Sequence, residues 1–178
     1  MIETERLIMR PWREDDAETL FRYAQDPAVG PAAGWPPHKS VEESLEIIRT
    51  VFSQPEVYAM VLKSTGQPIG SCGIMFSDTL HSAEIDKGDA EIGYWVGLPH
   101  WGFGYATEVV RALAGRCFSE LGLSRLWIGH YDGNERSRRV AEKCGFRYHH
   151  TEHGKTSLLG DIRTEHFLTL TAEEFMQK

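Results

Sequence analysis

The chain has 178 residues, enough for one domain with a real core and too few for two ordinary ones. It is 41% hydrophobic and 25% charged, an ordinary globular balance, and 19 Lys and Arg against 26 Asp and Glu leave a formal net charge of -7. That balance argues against a nucleic-acid surface, which needs a basic face, and leaves room for a local basic pocket around a small phosphorylated ligand.

The opening MIETERLIMR carries acids where a signal peptide has its basic head. No later stretch approaches the ~18 apolar residues of a membrane span. A cytoplasmic protein without membrane contact is expected. Glu5–Trp12 reads as a first strand. Asp15 or Asp16 then caps a helix with Ala17, Leu20, Phe21 and Ala24 on one face. The Pro- and Gly-rich stretch Asp26–Lys39 is loop. Ser40 and Glu43 form a capping box, and the helix behind it turns Val41, Leu45, Ile48 and Phe52 inward.

Val57–Lys63 is apolar on both faces, as a central strand is. The turn Ser64–Gln67 leads it into PIGSCGIMF, a hairpin partner. Ala90–Gly97, AEIGYWVG, is a further strand with Ile92, Tyr94 and Val96 on one side and Glu91, Gly93 and Trp95 on the other. A long helix over Tyr105–Leu121 buries Val110, Leu113, Cys117 and Leu121 and stops at Gly122. SRLWIGHY is a strand. Asn134 caps the next helix, Gly145 ends it, and FRYHHTEH and IRTEHFLTL supply the last two strands. Hairpins mixed with crossover helices predict an α/β (α+β) domain over residues 1–178. Cys72, Cys117 and Cys144 are odd in number and widely spaced, so they read as small buried hydrophobes rather than a disulfide framework or zinc motif.

The stretch PHWGFGYATEVV has a strand before it and a helix after it. First-turn amides of a helix lack intrahelical partners, and the dipole makes that end partly positive. Gly102 and Gly104 let an anion approach the bare backbone, so a phosphate site is one reading; a tight strand-to-helix turn with close packing is the other. A nucleoside-triphosphate loop wants Gly-Lys-Ser/Thr, but Ala106-Thr107 stands here without a lysine. A dinucleotide fingerprint wants a third glycine where Thr107 stands.

WGFGYA resembles the pyrophosphate-binding turn of the GNAT superfamily, the acetyl-CoA-dependent N-acetyltransferases, whose pattern is Gln/Arg-x-x-Gly-x-Gly/Ala. AEIGYWV, WGFGYATE, NERSRRVAEKCGF, ETERLIMRPW and GWPPHKSVEES together resemble the branch typified by ribosomal-protein N-terminal acetyltransferases (Rim type), over about Ile2–Leu170. The resemblance implies a mixed sheet of about six to seven strands flanked by about four helices and splayed between AEIGYWV and RLWIGHY. It implies acetyl-CoA as cosubstrate, its pantetheine arm paired with the backbone at Trp95 and Val96. Gly102, Phe103, Gly104, Tyr105, Ala106 and Thr107 would hold the pyrophosphate, and Asn134 and Ser137 would contact the cofactor. Trp101 and Phe103 replace the usual polar or basic residues. The cradle therefore leans on amides, with Arg136, Arg138 or Arg139 as candidates to compensate.

Amide formation needs a deprotonated amine, and free amines have pKa values of about 8 to 10.4. A base helps, a donor such as the Val96 amide stabilises the oxyanion, and an acid serves the thiolate. Many family members carry a Tyr seven residues after the Asn, where Ala141 stands here. Ser137 matches the Ser of the Rim branch and is expected to protonate or position the thiol; helix capping alone is the alternative. Glu91 is the first candidate for base, against a plain surface glutamate on a half-solvated face. Tyr131 and Glu152 are reserves. No cysteine sits where an acyl-enzyme needs one, which favours direct transfer in a ternary complex.

HHTEH places His149, Thr151 and His153 on one strand face without a nearby carboxylate, so no metal is expected. His100 reads as structural or near the substrate mouth. Trp35 either lines an acceptor pocket with Glu91 and Tyr131 or anchors its loop to the core. The expected acceptor is an amine, as a small molecule or a peptide or protein N-terminus, with the chain a monomer or homodimer. A non-catalytic acyl-CoA-binding regulatory module is the competing reading.

Overall fold

Hairpin alternation and helical spacing become eight strands and five α-helices among the described residues. The computed structural model of the chain describes residues 1–76, 81–82, 84–86 and 88–177. The chain divides into two units, Met1–Gly73 with Tyr94–Val109, and Ile74–Gly93 with the chain from Val110 on.

In the first unit, β1 (Ile2–Glu3) and β2 (Leu7–Arg10) form a hairpin, and β2 pairs antiparallel with β3 (Val57–Leu62). The expected first strand, Glu5–Trp12, is therefore shorter. The Thr4 amide donates to the Leu7 carbonyl and the Leu7 amide donates to Thr4 Oγ1, closing a turn, and Pro11 has no N–H to continue the ladder. β3 returns into β4 (Gln67–Met75) as the hairpin expected from its turn. Helices α1 (Ala17–Ala24) and α2 (Val41–Thr50) bury Ala17, Leu20, Ala24 and Ile48 with Trp12, Ala59 and Val61. Phe52, just past α2, stacks on Trp12 at 5.2 Å. The Trp12 indole N–H donates to Ser71 Oγ at 3.1 Å, so the core carries no orphan indole there.

Asp16 does not cap α1. Its own backbone is already helical, and its carboxylate instead accepts the Arg13 amide at 2.9 Å and grips Arg10 at 2.6 and 2.9 Å. It thereby closes a short 3-10 turn, Glu14–Asp16, ahead of the helix. Ser40 caps α2 by accepting the Glu43 amide at 3.2 Å, but the Glu43 carboxylate takes the Lys39 amide rather than that of Ser40.

In the second unit, the first residues of β5 (Ala90–Val96) run parallel to β6 (Arg125–Tyr131), in the register Ala90↔Leu126 and Glu91↔Trp127. β8 (Ile162–Thr171) pairs antiparallel with β6 on one side and β7 (Arg147–Thr156) on the other. Because β4 and β5 run through both units, the strand order is β1-β2-β3-β4-β5-β6-β8-β7. This is the mixed α/β sheet expected; the additional strand and helix are short ones, β1 and α5 (Ala172–Met176). Helix α3 (Tyr105–Ser119) buries Val110, Leu113 and Cys117. Leu121, expected inward, is exposed, because α3 ends two residues earlier and Gly122 turns the chain with φ of 68°. Asn134 and Gly145 bound α4 (Glu135–Cys144) as expected. All three cysteines are buried and unbridged.

β7 breaks its own alternation. The register shifts between Tyr148 and His150 and again between Glu152 and Lys155, with Gly154 at φ of 75°. The expected shared face of His149, Thr151 and His153 is lost: His149 meets Trp127 edge-on at 4.8 Å and His150 stacks on Phe167 at 4.9 Å.

Candidate functional site

Gly102 and Gly104 both have φ of 83°, left-handed backbone that costs other L-residues about 1–2 kcal/mol. A Cβ on Gly102 would meet nothing within 4 Å, and one on Gly104 only the end of Arg6, at 3.6 Å. Crowding by the protein therefore does not require these glycines; the backbone conformation does. The first intrahelical bond of α3 runs from the Glu108 amide to the Gly104 carbonyl at 3.1 Å. The amides ahead of it emerge at the positive end of a fifteen-residue helix.

The turn is braced from the N-terminal hairpin, a feature no local spacing announces. Glu108 accepts from Thr4 Oγ1 at 2.5 Å, the Arg6 amide at 2.9 Å and Arg6 Nε at 2.7 Å, and pairs with Arg6 Nη2 at 2.6 Å. Arg6 Nη1 donates to the Phe103 carbonyl at 2.9 Å, and the guanidinium lies 4.6 Å from the Tyr105 ring centroid. Burial works against the Glu108 charge, but the Thr4 and Arg6 donors outweigh it and hold the carboxyl below the usual range. Arg6 is thus the cation at this turn, with its charge balanced by Glu108. Arg138, one of the three expected compensators, pairs with Glu135 and Glu142 on its own helix.

Trp101 fastens the end of β5. Its indole N–H donates to the Val96 carbonyl at 2.6 Å. The Trp95 carbonyl lies so close to Gly70 that a Cβ there would stand 2.2 Å away. The Trp95–Val96 peptide is trans, so the Val96 N–H points opposite to that carbonyl. Trp35 meets Trp95 edge-on at 5.7 Å and packs on Gly30, whose added Cβ would lie 2.5 Å from the indole. Of its two readings, the loop anchor is the one these contacts describe. His100 bonds the Tyr23 hydroxyl at 3.0 Å, a structural position, and burial lowers its pKa.

Glu91, Tyr131, Asn134 and Ser137 belong to the second unit. Glu91 is not a half-solvated surface residue: it is 2% exposed. Its Oε2 accepts the His81 amide at 3.0 Å and its Oε1 lies 2.9 Å from His81 Nδ1. That hydrogen bond raises the His81 pKa. Glu165 on β8, 5% exposed, converges on the same place. A Cβ on Gly129 would stand 2.7 Å from Glu165 Oε1 and 3.3 Å from Glu91 Oε1, so this glycine makes room for both carboxyls. Burial pushes the Glu165 carboxyl up to about 6, with Glu91 and Glu152 adding to it against His81 and Lys155. Tyr131 and Glu152 are the cross-strand neighbours of Glu165. Burial raises the Tyr131 hydroxyl, and Arg163 lies 4.9 Å over its ring. Glu152 holds Ser82, Lys155 and His150. Asn134 Oδ1 accepts the Ser137 amide at 3.3 Å, so Asn134 is the cap and Ser137 stands in the first turn of α4.

Sequence reasoning missed His81 and Glu165. Glu165 had a signal: in IRTEHFLTL it shares alternation parity with buried Phe167. Glu84, from outside the HHTEH strand, brings a carboxylate within 4.8 Å of ring nitrogens of His149 and His150, on a mostly exposed face.

A family model described as an acetyltransferase (GNAT) domain matches residues 6–147. The uncharacterized N-acetyltransferase p20 of Bacillus licheniformis is 33% identical over 128 residues, covering 69% of this chain and 68% of that one. Among solved structures, a GNAT-family acetyltransferase from Bacillus anthracis superposes with a TM-score of 0.83 at 20% identity, covering 97% and 98% of the two chains. A putative ribosomal-protein-serine acetyltransferase from Vibrio cholerae gives 0.77 at 25% identity, covering 96% of each.

Proposed function

The chain belongs to the GNAT acetyltransferase family, whose members transfer an acyl group from acetyl-CoA, and from that premise we propose that it acetylates a primary amine by direct attack in a ternary complex. The observation that carries the reading is the pair of left-handed glycines at 102 and 104, which leads the chain into the positive N-terminal end of α3. The backbone from Gly102 to Thr107 suits a diphosphate, which needs donors and a positive dipole more than a side-chain cation. Trp95 and Val96 offer backbone to the pantetheine arm, and Asn134 and Ser137 complete the cofactor set.

In the reaction, the amine nitrogen attacks the thioester carbonyl, the C–S bond breaks, and coenzyme A leaves as a thiolate. Glu91 takes the proton that the ammonium gives up, and Tyr131 is the reserve for that task. The Val96 amide, turned away from Gly70 by its own peptide plane, donates to the oxyanion. Ser137 positions or protonates the departing sulfur. No acyl-enzyme is needed. The acceptor is a small-molecule amine or a peptide or protein N-terminus, beside Glu91 and Tyr131. The similar fold of the putative ribosomal-protein-serine acetyltransferase from Vibrio cholerae favours a peptide as the first acceptor to try.

Purified protein incubated with acetyl-CoA and a panel of peptides, amino acids, polyamines and aminoglycosides tests the reading by thiol release. Release above hydrolysis with at least one amine is expected. None across the panel, with coenzyme A still bound, would support the non-catalytic module instead. That second reading draws on Ala141, fully buried at the position where the pattern of many family members has a tyrosine.

A further inference from the structure

Glu165 is a buried carboxyl without a hydrogen-bond donor of its own among the described residues. Its neighbour Glu91 has two, both from His81. An oxygen of each glutamate and a His81 ring nitrogen lie within 4.8 Å of one another, over the space Gly129 leaves open. Two carboxylates this close inside a protein do not both stay ionised without cost; one keeps a proton or the two share it.

We propose that Glu165 acts through Glu91 as its proton partner: the two carboxyls hold one proton between them across Gly129, and the pair, rather than Glu91 alone, takes up the proton released by the attacking amine. The inference rests on Glu91 being the base. In the step, one N–H bond of the ammonium breaks and one O–H bond forms on the pair. The ammonium loses its positive charge and the pair its single negative charge, so charge is conserved. His81 keeps Glu91 in place through the backbone amide and Nδ1.

The charges around the pair set the pH at which it works. Glu91 faces Glu165 from β5 and His81 from the segment before it. Glu152 and Lys155 face it from β7 and Tyr131 from β6. Arg163, on its own strand, is paired with Asp161 at 2.9 Å. Glu152 is itself tied to Lys155 at 2.7 Å, so it adds little net charge. Burial, first among these influences, pushes the Glu165 carboxyl up to about 6.

The test combines carboxyl-labelled glutamate NMR on the full chain with rate profiles of Glu165→Gln and Glu91→Gln. In the parent protein a Glu165 carboxyl titration near 6 is expected. Glu165→Gln removes it, changes the acidic limb of the kcat/KM profile and costs about tenfold in kcat, a part of what general base catalysis contributes. KM for acetyl-CoA stays within about twofold, since Glu165 acts on the proton and not on binding. Gly129→Ala, which crowds the pair while keeping both charges, is the second variant and moves the titration in the same experiment. A slow Glu91→Gln beside a Glu165→Gln that matches the parent in rate and profile overturns this proposal alone. A Glu91→Gln with parental rate overturns the base assignment and the proposal with it.

Discussion

Replacing Glu108 with alanine removes the acceptor from four donors at once: Thr4 Oγ1, the Arg6 amide, Arg6 Nε and Arg6 Nη2. The Glu108 side chain is 15% exposed and that of Arg6 40%. The guanidinium can rehydrate, but the Arg6 amide and the Thr4 hydroxyl are left facing a partly dry space. Hydrogen bonds to a charged group contribute about 1.5–3 kcal/mol each and do not add when they share one acceptor. A loss of roughly 2–3 kcal/mol follows, below the ~3–5 kcal/mol for breaking a fully buried pair. For a chain of this length that lowers Tm by about 5–10 °C. Urea melts of the parent, Glu108→Ala, Arg6→Ala and the double variant give the coupling energy, expected at about 1–2 kcal/mol. The Phe103 carbonyl loses its guanidinium if Arg6 swings out, so KM for acetyl-CoA rises several-fold on the order expected of a displaced positioning group. The sign in pH is also set. The folded Glu108 carboxyl is held below its free value, so its contribution is full above about 4.5 and is lost as pH falls through the folded value. A Glu108→Ala cost below about 0.5 kcal/mol, with no coupling to Arg6 and an unchanged KM, refutes the brace.

Gly104→Ala forces a side chain onto a φ of 83°; we expect about 1–2 kcal/mol of destabilisation and a raised acetyl-CoA KM, read by melting and initial rates, with a parental KM counting against the cradle. His38 is buried against Ser44 Oγ at 2.8 Å, and burial lowers its pKa, although Glu43 opposes it. The unfolded chain binds its proton first, so stability is full above about 6.5 and declines as pH falls below that; His38→Gln flattens this part of the curve in pH-dependent urea melts.

Where a pattern is local, it was readable. The hairpin β3–β4, the burial of Val110, Leu113 and Cys117 on α3 and the Asn134 and Gly145 boundaries of α4 depend on neighbours within a few residues. Asp16 shows the limit: its type suits a helix cap, yet Arg10 and the Arg13 amide compete for the same carboxylate and win. Glu91 was placed on its strand, but its burial depends on what surrounds that strand. Glu165 and His81 are distant in sequence, and no spacing links them to residue 91. The same holds for Arg6 and Glu108, 102 positions apart. In β7, two bulges shifted the parity on which the histidine face rested.

The outer strands also decide how this protein behaves in crowded solution. An open sheet exposes unpaired amides and carbonyls at both margins, a template for strand-by-strand polymerisation. Here one margin is β1, two residues long, too short to seed a ladder. The other is β7, where two register shifts, a left-handed glycine and a lysine interrupt any run that an incoming chain must match. Sheet growth from molecule to molecule is therefore disfavoured at both ends by the geometry of the strands themselves.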